Sequence, residues 1–175
     1  MIDTHPDIAD STHNWLPLSQ SSLDPSNPLW HWIADAGSLT KRLKQKSNSQ
    51  FTVELVEENW CENLPQNLRV LFGPVNNPHR FWSRKVTLVG QGVPWVKAHT
   101  LIPEHSFESP LREVFSLNVK PLGEYLFNQP NLIRTEMDVT VDDSDTWGRR
   151  SLFYLFGKPV LVAEFFLEDL IGTSS

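Results

Sequence analysis

The chain has 175 residues, a net charge of −6 and ordinary proportions of hydrophobic (39%) and charged (21%) residues, which fits one globular domain and excludes a disordered protein. An acidic chain lacks the basic surface that binds phosphate backbones, so we expect no nucleic acid partner. No apolar run approaches the roughly 20 residues that span a bilayer, and no signal peptide is visible. Cys61 is the single cysteine, which excludes an internal disulfide. We therefore expect a cytoplasmic protein and, since no apolar helix face is left over, a monomer.

A polar segment over residues 1–26 is predicted to lead into one domain over residues 27–175. Asn27 and Pro28 are typical of a helix start, and the first short helix ends before Gly37. Ser38 then caps a second helix over residues 39–46. The two helices form a helix-turn-helix that is too short and too weakly basic to indicate DNA binding.

From residue 51 on, several segments alternate apolar and polar residues with the period of two that is typical of strands. Strands are predicted from residue 51 and over residues 81–89, 95–102, 133–141, 149–156 and 160–167. A second pair of short helices is predicted over residues 111–117 and 121–127. Because most connections are short turns, the pattern predicts an α+β fold with a single antiparallel sheet of about six strands and two helix pairs.

Glu164 is the most informative residue, because both faces of its predicted strand are otherwise apolar. Burying a carboxylate without a partner is costly, so the group either pairs with a cation or stays protonated. Two interpretations remain open. Glu164 is either a structural ion-pair or strand-end residue, or a carboxyl group in a pocket whose raised pKa lets it exchange a proton with a substrate.

Arg84 presents the same problem with the opposite charge, since it shares a strand face with Trp82, Val86 and Leu88. It either pairs with a carboxylate of the sheet, such as Glu164, or forms a bidentate clamp for a ligand carboxylate. A buried carboxyl and a buried guanidinium on one sheet would bind a small anionic organic acid.

Other kinds of site are disfavoured. The six histidines show no zinc-type spacing, so no metal ligand is predicted, and the acidic loop over residues 142–145 lacks the Gly and Glu of a calcium loop. The basic residues in 41–46 indicate a solvated helix face, with steering of an anion as the alternative. Arg149 and Arg150 are neighbours on a strand and face opposite sides, so at most one points inward, and structural pairing with sheet carboxylates is expected for both.

Five motifs occur together in the order Ser38-Leu39-Thr40-Lys41-Arg42; Pro94-Trp95 with Thr100-Leu101-Ile102-Pro103; Pro121-Leu122-Gly123-Glu124-Tyr125-Leu126-Phe127; Trp147-Gly148-Arg149-Arg150-Ser151; and Gly157-Lys158-Pro159 through Glu164. As a set, over about residues 29–167, they resemble the bacterial chorismate pyruvate-lyases. The resemblance implies an antiparallel sheet with two helix-turn-helix flaps over a buried ligand. It also implies cleavage of chorismate to 4-hydroxybenzoate and pyruvate, the first committed step towards ubiquinone, with no metal or organic cofactor.

The same resemblance assigns the residues of the site. Arg84 matches the family arginine that holds the ring carboxylate, Glu164 matches the glutamate near the ring hydroxyl, and both are the expected catalytic residues. Leu122 matches the flap residue whose backbone touches the ligand. Leu39 matches an apolar wall position that is Met in a relative. His99 stands where that relative has Arg, and it would assist the pyruvyl carboxylate only when protonated or as a neutral donor.

Since aromatisation of the ring drives the elimination, the protein has to orient the substrate, neutralise charge and manage one proton. We expect Arg84 to orient the ring carboxylate and Glu164 to assist proton movement at the hydroxyl-bearing carbon, and the group that stabilises the leaving pyruvate is unassigned. Two alternatives are an effector-binding module of a transcription regulator and a protein that only binds 4-hydroxybenzoate. The short leading segment and the acidic charge disfavour the first, and retention of Arg84 and Glu164 disfavours the second.

Overall fold

The computed structural model describes residues 5–10, 12–73, 80–107, 112, 116–117 and 119–172. Its strands are β1 (Leu16–Pro17), β2 (Phe51–Cys61), β3 (Phe81–Gly90), β4 (Val93–Pro103), β5 (Leu132–Arg134), β6 (Asp138–Val141), β7 (Trp147–Leu155) and β8 (Lys158–Phe166). Its helices are α1 (Trp30–Ile33), α2 (Leu39–Lys46), α3 (Gln66–Arg69), α4 (Leu122–Phe127) and α5 (Asp169–Gly172), with 3₁₀ turns at Leu18–Gln20, Val70–Phe72 and Glu104–Ser106. Among the helices of the described residues, none has the length and hydropathy that a membrane span requires.

Within the described residues all eight strands form one sheet in the order β1-β6-β7-β8-β4-β3-β2, with β5 paired to β7. Every strand pair is antiparallel, which confirms the predicted α+β class with a single antiparallel sheet. The predicted number of about six strands is wrong. The additional strands are the two-residue β1 and a division of the predicted 133–141 strand into β5 and β6.

Thr135 explains why the predicted strand divides. Its side-chain Oγ1 accepts a hydrogen bond from the backbone N–H of Leu152 at 3.0 Å. The hydroxyl therefore takes the place of a ladder carbonyl, and residues 135–137 leave the strand conformation before β6 begins.

The predicted helices near residues 30–46 are both present. Ser38 caps α2, since its side chain accepts the backbone N–H of Lys41 at 3.2 Å, and Leu39 and Leu43 are buried against the sheet. The helix predicted over 121–127 is observed as α4, which buries Leu122 and Leu126. The helix predicted over 111–117 lies largely outside the described residues.

The two faces of the sheet are covered by different parts of the chain. Helices α2 and α4 cover one face, with Leu39 and Leu122 in two separate hydrophobic clusters. The opposite face is covered by the segment around Ile8 and by α3, which pack on Phe81 and Phe165. Ile8 belongs to the segment predicted to lead into the domain and is only 2% exposed. The predicted boundary at residue 27 stays a prediction.

Candidate active site

A pocket lies between the sheet and helices α2 and α4, around a cavity of about 50 Å³. Apolar and hydroxyl side chains of the sheet form its floor: Val86, Leu88, Ala98, Thr100, Phe153 and Val162. The helices and the residue before α4 form its roof: Leu39, Thr40, Pro121, Leu122, Gly123, Leu126 and Phe127. Its charged lining consists of Arg84, Arg134, Arg149 and Glu164. All four residues predicted from the family resemblance (Leu39, Arg84, Leu122 and Glu164) therefore line one pocket, and their roles stay predictions.

Glu164 lies on the pocket face of β8, directly opposite Arg149 on β7. Arg149 donates from Nε to Glu164 Oε1 at 2.9 Å, and the side chain of Glu164 is 15% exposed. The carboxylate therefore has a cation partner, as the first interpretation expects, and it also lines a pocket; the exchange of a proton with a substrate stays a prediction. A hydrogen-bonded partner of this kind fixes the orientation of a carboxylate.

Arg149 is nearly fully buried and binds backbone as well as Glu164. Its Nη1 donates to the carbonyl oxygens of Trp32, Ile33 and Asp35 at 3.2, 2.9 and 2.8 Å. The guanidinium therefore joins Glu164 to the end of α1, a few residues before α2 begins. The predicted pairing with a sheet carboxylate is confirmed, but sequence reasoning missed that Arg149 lines the pocket.

Arg150 lies on the opposite face, as the alternation predicts. It donates to Asp138 Oδ2 at 3.4 Å, and its guanidinium carbon lies 4.6 Å from the ring centre of Trp15. Burial lowers the pKa of Arg150, while Asp138 opposes this change. Of the two adjacent arginines, Arg149 is therefore the one that points into the pocket.

Arg84 pairs with Glu58, and the suggested pairing with Glu164 is wrong. Glu58 lies directly opposite Arg84 on the neighbouring strand β2 and accepts a hydrogen bond from Nη1. Arg84 also donates from Nη2 to the carbonyl of Lys120 at 3.1 Å, close to the start of α4. Glu164 lies two strands away, with β4 between, and pairs with Arg149 instead.

The separation of Arg84 and Glu164 indicates the size of ligand that fits between them. Two strand spacings put the backbones of β3 and β8 about 10 Å apart. Both side chains line the same pocket. They are therefore placed to contact opposite ends of a ligand that contains a single six-membered ring.

Arg134 was not singled out by the sequence, yet it is the third arginine of the pocket. It extends from β5, and its Nε donates to Ser151 Oγ at 3.2 Å while Nη1 donates to the carbonyl of Ala36 at 3.0 Å. Burial, with the nearby charge of Arg149, lowers the pKa of Arg134 to about 10. The sequence pattern did not identify it, because residues 133–141 were predicted as one continuous strand, whereas Arg134 ends β5.

His99 does not line the pocket, so the suggestion that it assists a pyruvyl carboxylate is wrong. Ala98 and Thr100 line the pocket from β4, and His99 between them points to the other face of the sheet. There its Nδ1 accepts the backbone N–H of Ile8 at 2.9 Å, and its Nε2 lies 2.8 Å from Ser83 Oγ. Burial lowers the pKa of His99 to about 3, against the opposing charge of Asp7, so the ring is neutral at pH 7.

The pocket lining carries an excess of positive charge. Three arginines and one glutamate line it, and Glu58, which is outside the lining, pairs with Arg84, so the five groups together carry 3 − 2 = +1. Within the described residues, no group of three or more His, Cys, Asp or Glu side chains is placed to hold a metal ion. Such a pocket is suited to a small, mostly apolar molecule that carries negative charge.

Comparison with known proteins gives a consistent result. A family model described as chorismate lyase matches residues 10–173. A chorismate pyruvate-lyase of Photorhabdus laumondii is 35% identical over 168 residues, covering 91% of this chain and 95% of the relative. One of Erwinia tasmaniensis is 33% identical over 157 residues, covering 90% and 87%. One of Escherichia coli O9:H4 is 33% identical over 148 residues, covering 83% and 85%.

Similar solved structures include the effector domain of PhnF from Mycobacterium smegmatis. It has a TM-score of 0.54 and 16% identity, and the match covers 76% of this chain and 90% of that domain. At this identity the likeness shows a shared fold alone.

Proposed function

The chain belongs to the chorismate lyase family, and we propose from this premise that it is a chorismate pyruvate-lyase, which forms 4-hydroxybenzoate and pyruvate for ubiquinone biosynthesis. The observation that carries the proposal is an apolar pocket lined by three arginines and one glutamate. Chorismate has two carboxylates and one ring. Its carboxylates therefore suit a lining in which the arginines outnumber the carboxylates.

Arg84 is proposed to hold the ring carboxylate of chorismate. It is buried, and its hydrogen bonds to Glu58 and to the Lys120 carbonyl fix the plane of its guanidinium. Leu122 lies two residues after Lys120, so the arginine and this roof residue are at the same end of the pocket. This placement supports a role for the backbone of Leu122 in ligand binding, beside an apolar wall that includes Leu39.

Glu164 is proposed to accept the proton from the hydroxyl-bearing ring carbon. The electron pair of that C–H bond forms the last ring double bond, and the electron pair of the ether C–O bond leaves with enolpyruvate. Enolpyruvate then takes a proton on carbon and becomes pyruvate, so no oxidant or reductant is needed. Arg149 supports this step by orienting the carboxylate through the 2.9 Å hydrogen bond.

Helices α1–α2 and α4 are proposed to act as flaps. A cavity of about 50 Å³ has room for roughly four water molecules, which is too small for the 16 non-hydrogen atoms of chorismate. The roof therefore has to move to admit the substrate. Lys44 on α2 and Glu124 on α4 pair at the surface, so this contact opens if the two helices separate.

We also propose that the protein acts as a cytoplasmic monomer with chorismate and 4-hydroxybenzoate as its ligands and without a nucleic acid partner. The net charge of −6 supports the last point, since it opposes attraction to phosphate backbones. Light scattering of the purified protein measures the oligomeric state directly.

Turnover of chorismate tests the function. Purified protein is mixed with chorismate in buffer with a chelator, and 4-hydroxybenzoate and pyruvate are measured separately. The expected result is equal amounts of both products, formed at the same rate with and without the chelator. Binding of chorismate or 4-hydroxybenzoate without any product would contradict the proposal and favour a binding module.

A further inference from the structure

Arg134 is the pocket arginine to which neither the family resemblance nor the proposed function gives a role. The sheet order places it on the side of Glu164 that is remote from Arg84, because β5 pairs with β7, β7 with β8, and β3 lies beyond β4. The pocket therefore has a cation at each end, and the carboxylate of Glu164 lies between them, close to Arg149.

The hydrogen bonds of Arg134 leave one edge of its guanidinium available. Nε donates to Ser151, Nη1 donates to Ala36, and the guanidinium carbon lies 5.0 Å from the ring centre of Phe153. In the part of the chain that the structure describes, Nη2 has no hydrogen-bond partner. The side chain is thus held in place by two bonds while a donor remains for a ligand.

The electrostatics at this end of the pocket favour an anion. Arg134 and Arg149 are close enough that the charge of Arg149 lowers the pKa of Arg134. Glu164 is the carboxylate that lines the pocket here, and it already accepts a hydrogen bond from Arg149. The carboxylate of Asp35 also acts on Arg134, but it does not line the pocket and is paired with Arg42. Arg134, Arg149 and Glu164 therefore leave one positive charge in the lining at this end, which a carboxylate of the ligand would neutralise.

Chorismate has a ring carboxylate and an enolpyruvyl carboxylate, and its shape indicates which of the two would lie near Arg134. In chorismate the enolpyruvyl ether is attached to the ring carbon next to the one that bears the hydroxyl. With the ring carboxylate at Arg84 and the hydroxyl near Glu164, the enolpyruvyl group lies on the Glu164 side of the pocket. Its carboxylate is then on the side from which Arg134 extends.

We propose that Arg134, through Nη2, binds the carboxylate of the enolpyruvyl group and stabilises the negative charge that develops on this half of the substrate as the ether C–O bond breaks. The inference rests on the proposed function and names the group that receives the leaving pyruvate. Arg134 thereby distinguishes chorismate, which has this carboxylate, from 4-hydroxybenzoate, which lacks it.

The test compares two ligands in the variants Arg134→Gln and Arg134→Lys. We expect Arg134→Gln to lower kcat/KM for chorismate by about 100-fold or more, as is typical for loss of one donor to a developing anion. We expect its Kd for 4-hydroxybenzoate to stay within about threefold of the wild-type value. Arg134→Lys keeps the charge without the planar fork, so an intermediate loss of kcat/KM is expected with unchanged product binding.

Two control variants separate ligand binding from a structural role. Arg84→Lys is expected to weaken 4-hydroxybenzoate binding and chorismate turnover together, because both ligands have the ring carboxylate. Arg150→Gln, on the opposite face, is expected to leave kcat/KM within about threefold of the wild-type value. Thermal melts identify variants that are unfolded, and Arg134→Lys provides the measurement if Arg134→Gln does not fold.

The inference is overturned if Arg134→Gln keeps kcat/KM within about threefold, or if it weakens both ligands equally, as a merely structural residue would. A wild-type protein that makes no 4-hydroxybenzoate counts against the proposed function. These results are distinguishable, since the first two require a wild-type protein that turns chorismate over.

Discussion

Arg149 holds Glu164 with one edge of its guanidinium and the end of α1 with another. Nε donates to Glu164 Oε1 at 2.9 Å, while Nη1 donates to carbonyls that include those of Ile33 and Asp35. One buried cation therefore fixes both the proposed catalytic carboxylate and the chain that leads into the roof of the pocket. Neither contact is local in sequence, since Arg149 and Ile33 are 116 residues apart.

Arg149→Gln is expected to be strongly destabilising. It leaves Glu164 without its cation and several buried carbonyls without a donor, a type of change that costs about 3–5 kcal/mol in the free energy of unfolding. Urea denaturation measures the loss. Arg150→Gln is the matched control on the opposite face, where the pair with Asp138 is longer and more exposed, so its loss should be clearly smaller. Equal losses in the two variants would contradict the assigned role of Arg149.

Glu164→Gln tests the proton transfer. The amide keeps nearly the same shape but cannot accept the proton, so we expect kcat to fall by about 10²–10⁴-fold with a folded protein. Stopped assays of 4-hydroxybenzoate measure kcat, and a thermal melt checks the fold. Glu168→Gln, at an exposed position four residues along the chain, should retain wild-type rates. A kcat within a few-fold of wild type in Glu164→Gln would rule out the proposed base.

The contact between the roof helices is tested at Gly123. A Cβ at this position would lie 3.0 Å from Thr40 Oγ1, so Gly123→Ala forces α4 away from α2 by a few tenths of an ångström. We expect weaker binding of 4-hydroxybenzoate, and Thr40→Ala in the same chain should restore it because it removes the clashing hydroxyl. A coupling on the order of 1 kcal/mol in this double-mutant cycle is expected.

Calorimetry with 4-hydroxybenzoate supplies the four affinities of that cycle. Gly172→Ala serves as the control, since a Cβ there meets no atom within 4 Å. Strict additivity of Gly123→Ala and Thr40→Ala would show that the two residues do not press on each other in solution.

His99 makes stability depend on pH. Burial lowers its folded-state pKa to about 3 from an ordinary 6.5, so below pH 6.5 the unfolded chain binds a proton that the folded chain does not. The free energy of unfolding is therefore highest above pH 6.5 and decreases towards pH 3, by up to about 1.4 kcal/mol per pH unit. Urea denaturation between pH 5 and 6.5 measures this slope while Asp7, with an ordinary pKa of 3.8, stays ionised.

The variant His99→Gln removes the titrating group, so its slope between pH 5 and 6.5 is expected to be flatter than that of the wild type. His31→Gln, at an exposed position, should keep the wild-type slope. If His99→Gln and the wild type lost stability equally over this window, the titration of His99 would not be the cause.

Local patterns were sufficient to predict most of the elements. Ser38 as a cap gave the exact bounds of α2, and period-two alternation located β3, β4, β7 and β8 to within about two residues. The break between β5 and β6 was missed because it depends on the Thr135 hydroxyl meeting a distant strand. The alternation of polar and apolar residues over 133–141 contains no information about a hydrogen bond to another strand.

Apart from Leu39 and Leu122, which the family resemblance supplied, residues of the site were predictable only where a charge interrupts an apolar strand. This signal identified Arg84 and Glu164, both of which line the pocket. It could not identify Glu58 as the partner of Arg84, because strand pairing across the sheet determines that contact. It could not identify Arg134 either. The position of that guanidinium depends on hydrogen bonds to Ser151 on β7 and to the carbonyl of Ala36 before α2.

The anchoring of residues around Ile8 has a practical consequence for truncation. Asp7 pairs with Lys85, and Ile8 seals the sheet surface behind the pocket, next to His99. A shortened protein beginning at residue 27 would expose this hydrophobic surface to water and to other copies of itself. For protein production, a purification tag should therefore be added ahead of the segment around Ile8 and should not replace it.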